Sequence, residues 1–302
     1  MKQETNFDVI IIGGSYAGLA AAMSLGRSLR KVLVIDSGKP CNAQTPHSHN
    51  FITQDGKTPK EIAQIAKAQV EIYENVIFYA GIAIKGKIVA QKFNILTEKG
   101  DNLEAKKLIF ATGIKDQILP IKGFDKCWGI SVIHCPYCHG YEVRNERTGI
   151  LANGDEGFEY AKLISNWTKE LILFTNGKST LTLEQLIKLE KHQVEIIENE
   201  IECFENVEGK IQQVVFKDGS KTAIKAIYAR PPFIQHTGIP ENLGCELTEQ
   251  GHIKVDAFQK TSIPGIYACG DNSTPMRSLA SAVASGTLAG VMANKELIEE
   301  EF

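Results

Sequence analysis

The chain has 302 residues, 43% of them hydrophobic and 23% charged, a globular balance with enough length for two domains. A net charge of -3 provides no broad basic face, so no nucleic acid partner is expected. No apolar run reaches the roughly 20 residues of a membrane helix, and the polar start from Met1 to Asp8 runs into a strand without the form of a signal peptide. A cytoplasmic protein without membrane contact is therefore expected.

Phe7 to Ile12 is a short apolar run of strand character, followed at once by Gly13-Gly14-Ser15-Tyr16-Ala17-Gly18 and a small-residue helix over Leu19 to Arg30. Lys31 to Ile35 predicts a second strand, ending on Asp36. This is a βαβ unit with a glycine-rich first turn and an acid at the tip of its second strand. Gly13 permits the tight turn, and Gly18 lets helix and strand approach closely. The helix start offers N–H groups to a pyrophosphate. Ser15 replaces the middle glycine of the fingerprint, and its hydroxyl is itself suited to a phosphate. Asp36 is placed to accept hydrogen bonds from ribose hydroxyls.

A polar loop spans Ser37 to Lys57 and holds Asn42, His47, His49 and Asn50. Thr58-Pro59-Lys60-Glu61 is a capping box with proline at the first helical position, predicting a helix to about Tyr73. Val76 to Phe110 reads as short strands turning at Gly81, Gly86 and Gly100-Asp101, and ends in Ala111-Thr112-Gly113. A second βαβ unit is predicted from Gly149, with a turn over Ala152 to Gly157, a helix from Phe158 to Trp167 and a strand over Leu171 to Phe174. Thr182 with Gln185 caps another helix, and hairpins turn at Glu208-Gly209 and Asp218-Gly219. The chain closes through Gly265-Ile266-Tyr267-Ala268-Cys269-Gly270-Asp271 into a helix over about Ser278 to Ile298.

Seven cysteines, an odd number scattered along the chain, do not form the framework of a secreted protein. Only Cys135 and Cys138 have a functional spacing, within His134-Cys135-Pro136-Tyr137-Cys138-His139-Gly140. The other five are expected to pack as small apolar residues. Two cysteines at this spacing can open and close a disulfide with little backbone movement, and the flanking histidines can carry protons to and from a thiolate. Cys-x-x-Cys-His is also a haem-attachment pattern, but that chemistry needs export. Neighbouring His and Cys cannot easily turn to one zinc ion, and no second ligand pair appears, so no metal is expected. The Cys-Pro-Tyr-Cys tetrapeptide also occurs in glutaredoxins, which are short domains with the pair near the start.

Taken in order, the first βαβ fingerprint, Ala111-Thr112-Gly113, Cys135–Cys138, Asp256, Thr261-Ser262, Pro264 to Ala268 and Gly270-Asp271 resemble the low-molecular-weight thioredoxin reductase family over nearly the whole chain. The resemblance implies an α/β protein of two Rossmann-like three-layer nucleotide-binding domains, the second inserted into the first. The FAD domain would comprise residues 1–116 and 245–302, and the inserted NAD(P)-type domain residues 117–244. It implies a homodimer with FAD in each subunit, Gly270-Asp271 against the FAD phosphates and ribityl chain, and Leu279-Ala280 facing the flavin ring. It extends the expected FAD contacts to Gly14, Ala17, Ser37, Asn42, Asn50, Ile84 and the 111–113 element.

Two departures shape the expected activity. His139 follows the second cysteine where the reductases carry Asp, and His134 precedes the first. The inserted fingerprint starts with Ala152, and Thr175-Asn176-Gly177-Lys178 replaces the basic residues that a 2′-phosphate requires. No acid ends that strand to hold an NAD ribose. The combination is similar to a sub-branch that oxidises dithiols of natural products, such as the gliotoxin- and holomycin-forming enzymes. There C-x-x-C-H-G matches Cys135 to Gly140, and an Asn-Ala…His segment matches Asn42-Ala43…His47. The resemblance implies that Cys135 exchanges with the substrate, Cys138 faces the flavin, His134 and His139 carry protons, and O2 accepts the electrons. Two other readings fit the same parts: a disulfide reductase fed by ferredoxin or another non-NADPH donor, and a flavin redox sensor without turnover. His192, His236 and His252 are expected to be surface or packing residues.

Overall fold

The computed structural model describes residues 5–302; the stretch from Met1 to Glu4, part of the polar lead, lies outside them. In chain order the first elements are β1 (Asn6–Ile12), α1 (Tyr16–Arg27), β2 (Val32–Asp36), α2 (Pro59–Glu71), β3 (Val76–Ala80), β4 (Ala83–Val89), β5 (Lys92–Thr97) and β6 (Asn102–Phe110). Next come β7 (Ile114–Asp116), α3 (Phe124–Cys127), β8 (Val132–Ile133), α4 (Pro136–His139), β9 (Thr148–Leu151), α5 (Gly154–Ile164), β10 (Leu171–Phe174), α6 (Leu183–Lys191) and β11 (Glu195–Ile197). The rest are β12 (Ile201–Val207), β13 (Lys210–Phe216), β14 (Lys221–Ala223), β15 (Ala226–Ala229), β16 (Phe233–Gln235), α7 (Ile239–Asn242), β17 (Ile266–Ala268) and α8 (Leu279–Glu301).

The chain divides into two compact units, residues 1–43, 50–115 and 233–302 in one, 44–49 and 116–232 in the other. In the first, strands run in the order β3-β2-β1-β6-β5-β4, with β17 also on β6. β3, β2, β1, β6 and β17 are parallel; β5 and β4 continue the sheet antiparallel. The buried run Val9–Ile12 suits a parallel strand covered on both faces. Helix α8 lies on α1 through small residues: a Cβ on Gly286 would overlap the Ala17 carbonyl, and one on Gly290 would come within 2.7 Å of the Ala21 carbonyl.

The second unit is a parallel sheet in the order β11-β10-β9-β15-β8, with an antiparallel ribbon β12-β13-β14. The fold is thus α/β with two Rossmann-like units. Among the described residues no helix is long and apolar enough to cross a membrane.

Several expected boundaries shift. Gly86 is not a turn but lies inside β4, where its lack of a side chain admits Ile239, whose Cγ2 would be 2.7 Å from a Cβ. The reversal comes instead at Ala90 and Gln91, both at positive φ (48° and 63°). Helix α1 begins at Tyr16 rather than Leu19 and ends at Arg27. Helix α5 begins at Gly154, inside the stretch expected to be turn, because the Asn153 side chain caps it. Both expected capping boxes form, at Thr58/Glu61 and Thr182/Gln185.

Candidate functional site

In the first unit, parallel strands bring Gly13, Asp36, Ala111 and Gly270 toward one sheet edge. Gly13 donates to the Ile35 carbonyl at 2.8 Å, Ala111 to Ile12 at 2.8 Å, and Cys269 to Phe110 at 2.9 Å, so the ends of β1, β2, β6 and β17 lie together. This carboxyl edge is where open α/β sheets bind ligands. Gly13 sits at φ 109°, and a Cβ on it would overlap the Ala111 carbonyl; one on Gly18 would overlap Gly13. A Cβ on Gly14 would lie 2.7 Å from the Asp36 Cβ, and the Gly14 N–H donates to Asp36 Oδ1 at 3.2 Å.

Ser15 caps α1 without a side-chain hydrogen bond, which leaves the first-turn N–H groups facing outward for an anion. Asn272 donates from Nδ2 to the Phe110 carbonyl (2.9 Å) and Thr112 Oγ1 (3.2 Å), tying the 111–113 element to Gly270-Asp271. Gly270 is at φ 79° beside Ala17, and its N–H donates to Ser285 Oγ on α8 at 3.0 Å. Asp271 faces Arg277 at 3.6 Å, and Leu279 and Ala280 open α8. Gly113 adopts φ 64°. Asn42 hydrogen-bonds Tyr16, whose hydroxyl donates to the Pro59 carbonyl at 3.0 Å. Ser37 and Asn50 are exposed, Asn50 at φ 58°, and Ile84 is 54% exposed on β4. The glycine cradle, the N–H donors and the acid at the β2 tip fit a dinucleotide of the FAD type.

The cysteines lie in the second unit. β8 pairs with β15, Ile133 opposite Tyr228, and delivers the chain from the sheet to His134. Cys135, in extended conformation, caps the single turn α4, with Pro136 at the first helical position. The Cys138 N–H donates to Cys135 Sγ at 3.2 Å. The two cysteines form a disulfide with Cα atoms 5.3 Å apart. Gly140 closes the turn by donating to the Pro136 carbonyl at 2.7 Å, and a Cβ there would lie 2.8 Å from Trp167 Nε1. The other five cysteines form no disulfide; Cys127, Cys245 and Cys269 are buried, and burial pushes Cys269 up to about 12.

Around the pair, Tyr137 stands edge-on to Trp167 at 5.4 Å and is 63% exposed. The His134 carbonyl accepts from Tyr160, and its ring lies 6.0 Å from Trp128. His139 meets a residue from far upstream: the His49 ring is 6.4 Å away at 86°, and His49 Nε2 lies 3.6 Å from Glu142 Oε1. Burial, then repulsion from His49, hold the His139 imidazolium below its ordinary value, while Glu142 pulls the other way. His139 is therefore a neutral base near pH 7. Sequence reasoning named His134 and His139 as proton carriers but did not bring His49 and Glu142 to their side. The available signal was the gathering of four of seven histidines at 47, 49, 134 and 139.

The second glycine-type turn is closed by its own chain. Asn153 Oδ1 accepts from Gly154 N–H (2.8 Å), Thr180 N–H (2.9 Å) and Thr180 Oγ1 (3.2 Å), and its Nδ2 donates to the Lys178 carbonyl at 2.9 Å. The first turn of α5 carries Asp155 and Glu156, charges that repel a pyrophosphate.

The profile of the pyridine nucleotide-disulphide oxidoreductases matches residues 7–286. The chain belongs to this family. Members similar to it include thioredoxin reductase tcpT of Claviceps purpurea, 32% identical over 99% of this chain and 97% of that one. Thioredoxin reductase aclD of Aspergillus oryzae is 30% identical over 98% of each. Among solved structures, an oxidoreductase from Agrobacterium tumefaciens superposes with a TM-score of 0.91 at 35% identity, over 97% of this chain and 99% of that one. As a thioredoxin reductase-like member of the family, the protein is an FAD-dependent thiol–disulfide oxidoreductase.

Proposed function

We propose that the enzyme is a dithiol oxidase: it converts a substrate dithiol to a disulfide through Cys135 and Cys138, with O2 as terminal electron acceptor and hydrogen peroxide as product. The reading includes a cytoplasmic homodimer, as the resemblance to thioredoxin reductases implies. The closed turn at Asn153 carries it. Asn153 caps α5 and is tied to the 178–180 loop at the helix start that a pyrophosphate would approach, and the acids of α5 add to the obstacle. Electrons from NADPH then have no seat, while the cysteine pair keeps its exchange geometry.

In the exchange, a substrate thiolate attacks Cys135 Sγ, the Cys135–Cys138 bond breaks, and Cys138 leaves as thiolate. Neutral His139 takes the thiol proton, and His134 flanks the other side. The second substrate thiolate attacks the mixed disulfide, Cys135 leaves, and the substrate departs as its disulfide. Gly13 to Gly18, Asp36, the 111–113 element, Gly270-Asp271 and the start of α8 would hold FAD; Asn42, Ser37, Asn50 and Ile84 are assigned to its periphery. When bound, FAD supplies a two-electron acceptor for the reduced pair that oxygen can restore.

The test is spectroscopic. Under anaerobic conditions the flavin band should persist with NADPH and bleach with a dithiol, and admitting air should restore it with peroxide formed. Bleaching by NADPH alone would refute the oxidase reading. Cys138→Ser should abolish dithiol-driven bleaching while FAD stays bound; surviving turnover would refute the assigned exchange.

A further inference from the structure

We propose that His139, His49 and His47 form a proton relay from the cysteine pair to solvent, with Glu142 as its counter-charge. The proposal rests on the Cys135–Cys138 exchange described above but not on the identity of the electron acceptor. In each exchange two substrate S–H bonds and the enzyme S–S bond break, and one substrate S–S bond forms. The electron pair stays on the two cysteines, and where these are held as thiolates for their next oxidation the two protons pass to neighbouring bases. His139 and His134 can each hold one of them, and His139 must be emptied before the next cycle.

The geometry supplies the exit. The His139 and His49 rings are 6.4 Å apart, and the His49 and His47 rings are again 6.4 Å apart. The line ends at the surface: His139 and His49 are both half-buried, and His47 is exposed. One bridging water spans such gaps. Glu142 Oε1 lies 3.6 Å from His49 Nε2, so a carboxylate faces the middle of the line. A proton leaving half-buried His139 therefore passes an imidazole that faces a carboxylate and reaches an exposed one.

Two phenols of this neighbourhood do not compete. From α5, Tyr160 is pushed up to about 12 by burial, against the pull of Arg230 above its ring. From β15, Tyr228 is pushed higher still by burial, with Tyr160 and Glu142 adding to the effect, and its buried hydroxyl has no hydrogen-bond partner. Both stay neutral phenols near pH 7. His134, beyond β8, turns its ring toward Trp128.

The experiment follows anaerobic reduction of the enzyme by dithiothreitol. Rapid acid quench and thiol alkylation give the state of the cysteines, and the yellow FAD band confirms that each variant is folded. His49→Ala should slow reduction about tenfold, within the range of general acid–base effects, and imidazole in the buffer should restore it. His49→Gln removes a repelling charge, so His139 should protonate at higher pH and the acid limb of the rate profile should move up. Glu142→Gln should move the same limb down. A His49→Ala rate equal to wild type, or a loss that imidazole does not relieve with the acid limb unmoved, would overturn the relay. Failure of the oxygen reading would show separately, as missing peroxide with thiol exchange intact. If Cys135→Ser and Cys138→Ser left dithiothreitol-driven bleaching unchanged, the exchange and the relay would fall together.

Discussion

At the scale of single residues, the cysteine turn depends on a glycine as much as on sulfur. Gly140 admits the Trp167 indole and the Pro136 carbonyl where a methyl group would collide with both. Gly140→Ala should therefore cost about 1–3 kcal/mol, the range for overpacking, read as a lowered melting temperature together with slower dithiothreitol exchange. The cysteines, His134, His139 and Gly140 were legible in sequence because their chemistry is contiguous. His49 was not, because only the fold brings its loop to His139. Likewise Asn153 looked like part of a loose turn; its capping role depends on Thr180, which lies beyond β10.

Among the elements, α8 is held to β6 and β17 by a charged cluster. Lys107, 4% exposed, donates to Glu296 Oε1 at 2.8 Å, and Lys260 donates to Glu296 Oε2 at 2.9 Å, while Tyr267 also donates to Glu296. Burial alone would raise the Glu296 carboxyl, but Lys107, Tyr267 and Lys260 outweigh it and hold it at about 2, against 4.5 for a free side chain. A depressed carboxylate stabilises the fold fully above its unfolded value, and that contribution is lost as pH falls through the folded one. Stability should thus decline between pH 4.5 and about 2, and Glu296→Gln should flatten that decline while lowering stability at neutral pH, as followed by circular dichroism. None of this cluster was visible in sequence, since its partners come from three separated segments. The helices with capping boxes were visible, because Thr58/Glu61 and Thr182/Gln185 satisfy their own N–H groups locally. Gly86 misled for the opposite reason: glycine in β4 answers to Ile239, not to a turn.

For the whole molecule, two units of one fold class carry different turns. Ser15 leaves the start of α1 uncapped by its side chain, whereas Asn153 caps the start of α5 and ties it to the 178–180 loop. Asn153→Ala should lower stability by about 0.5–2 kcal/mol, the usual cost of a lost cap, as measured by thermal melting. It should not confer bleaching by NADPH, because Asp155 and Glu156 remain and the 175–178 segment offers a single lysine. The division into α/β units could be read from glycine spacing and strand runs, which are local. The transfer of residues 44–49 to the second unit could not. The surroundings of the disulfide also equip the protein with a native optical probe. Both of its tryptophans belong to that neighbourhood, Trp167 against Tyr137 and Trp128 against His134. Disulfides quench indole emission, so opening and closing of the bridge should be visible as ultraviolet fluorescence, without a dye, in protein freed of its yellow chromophore.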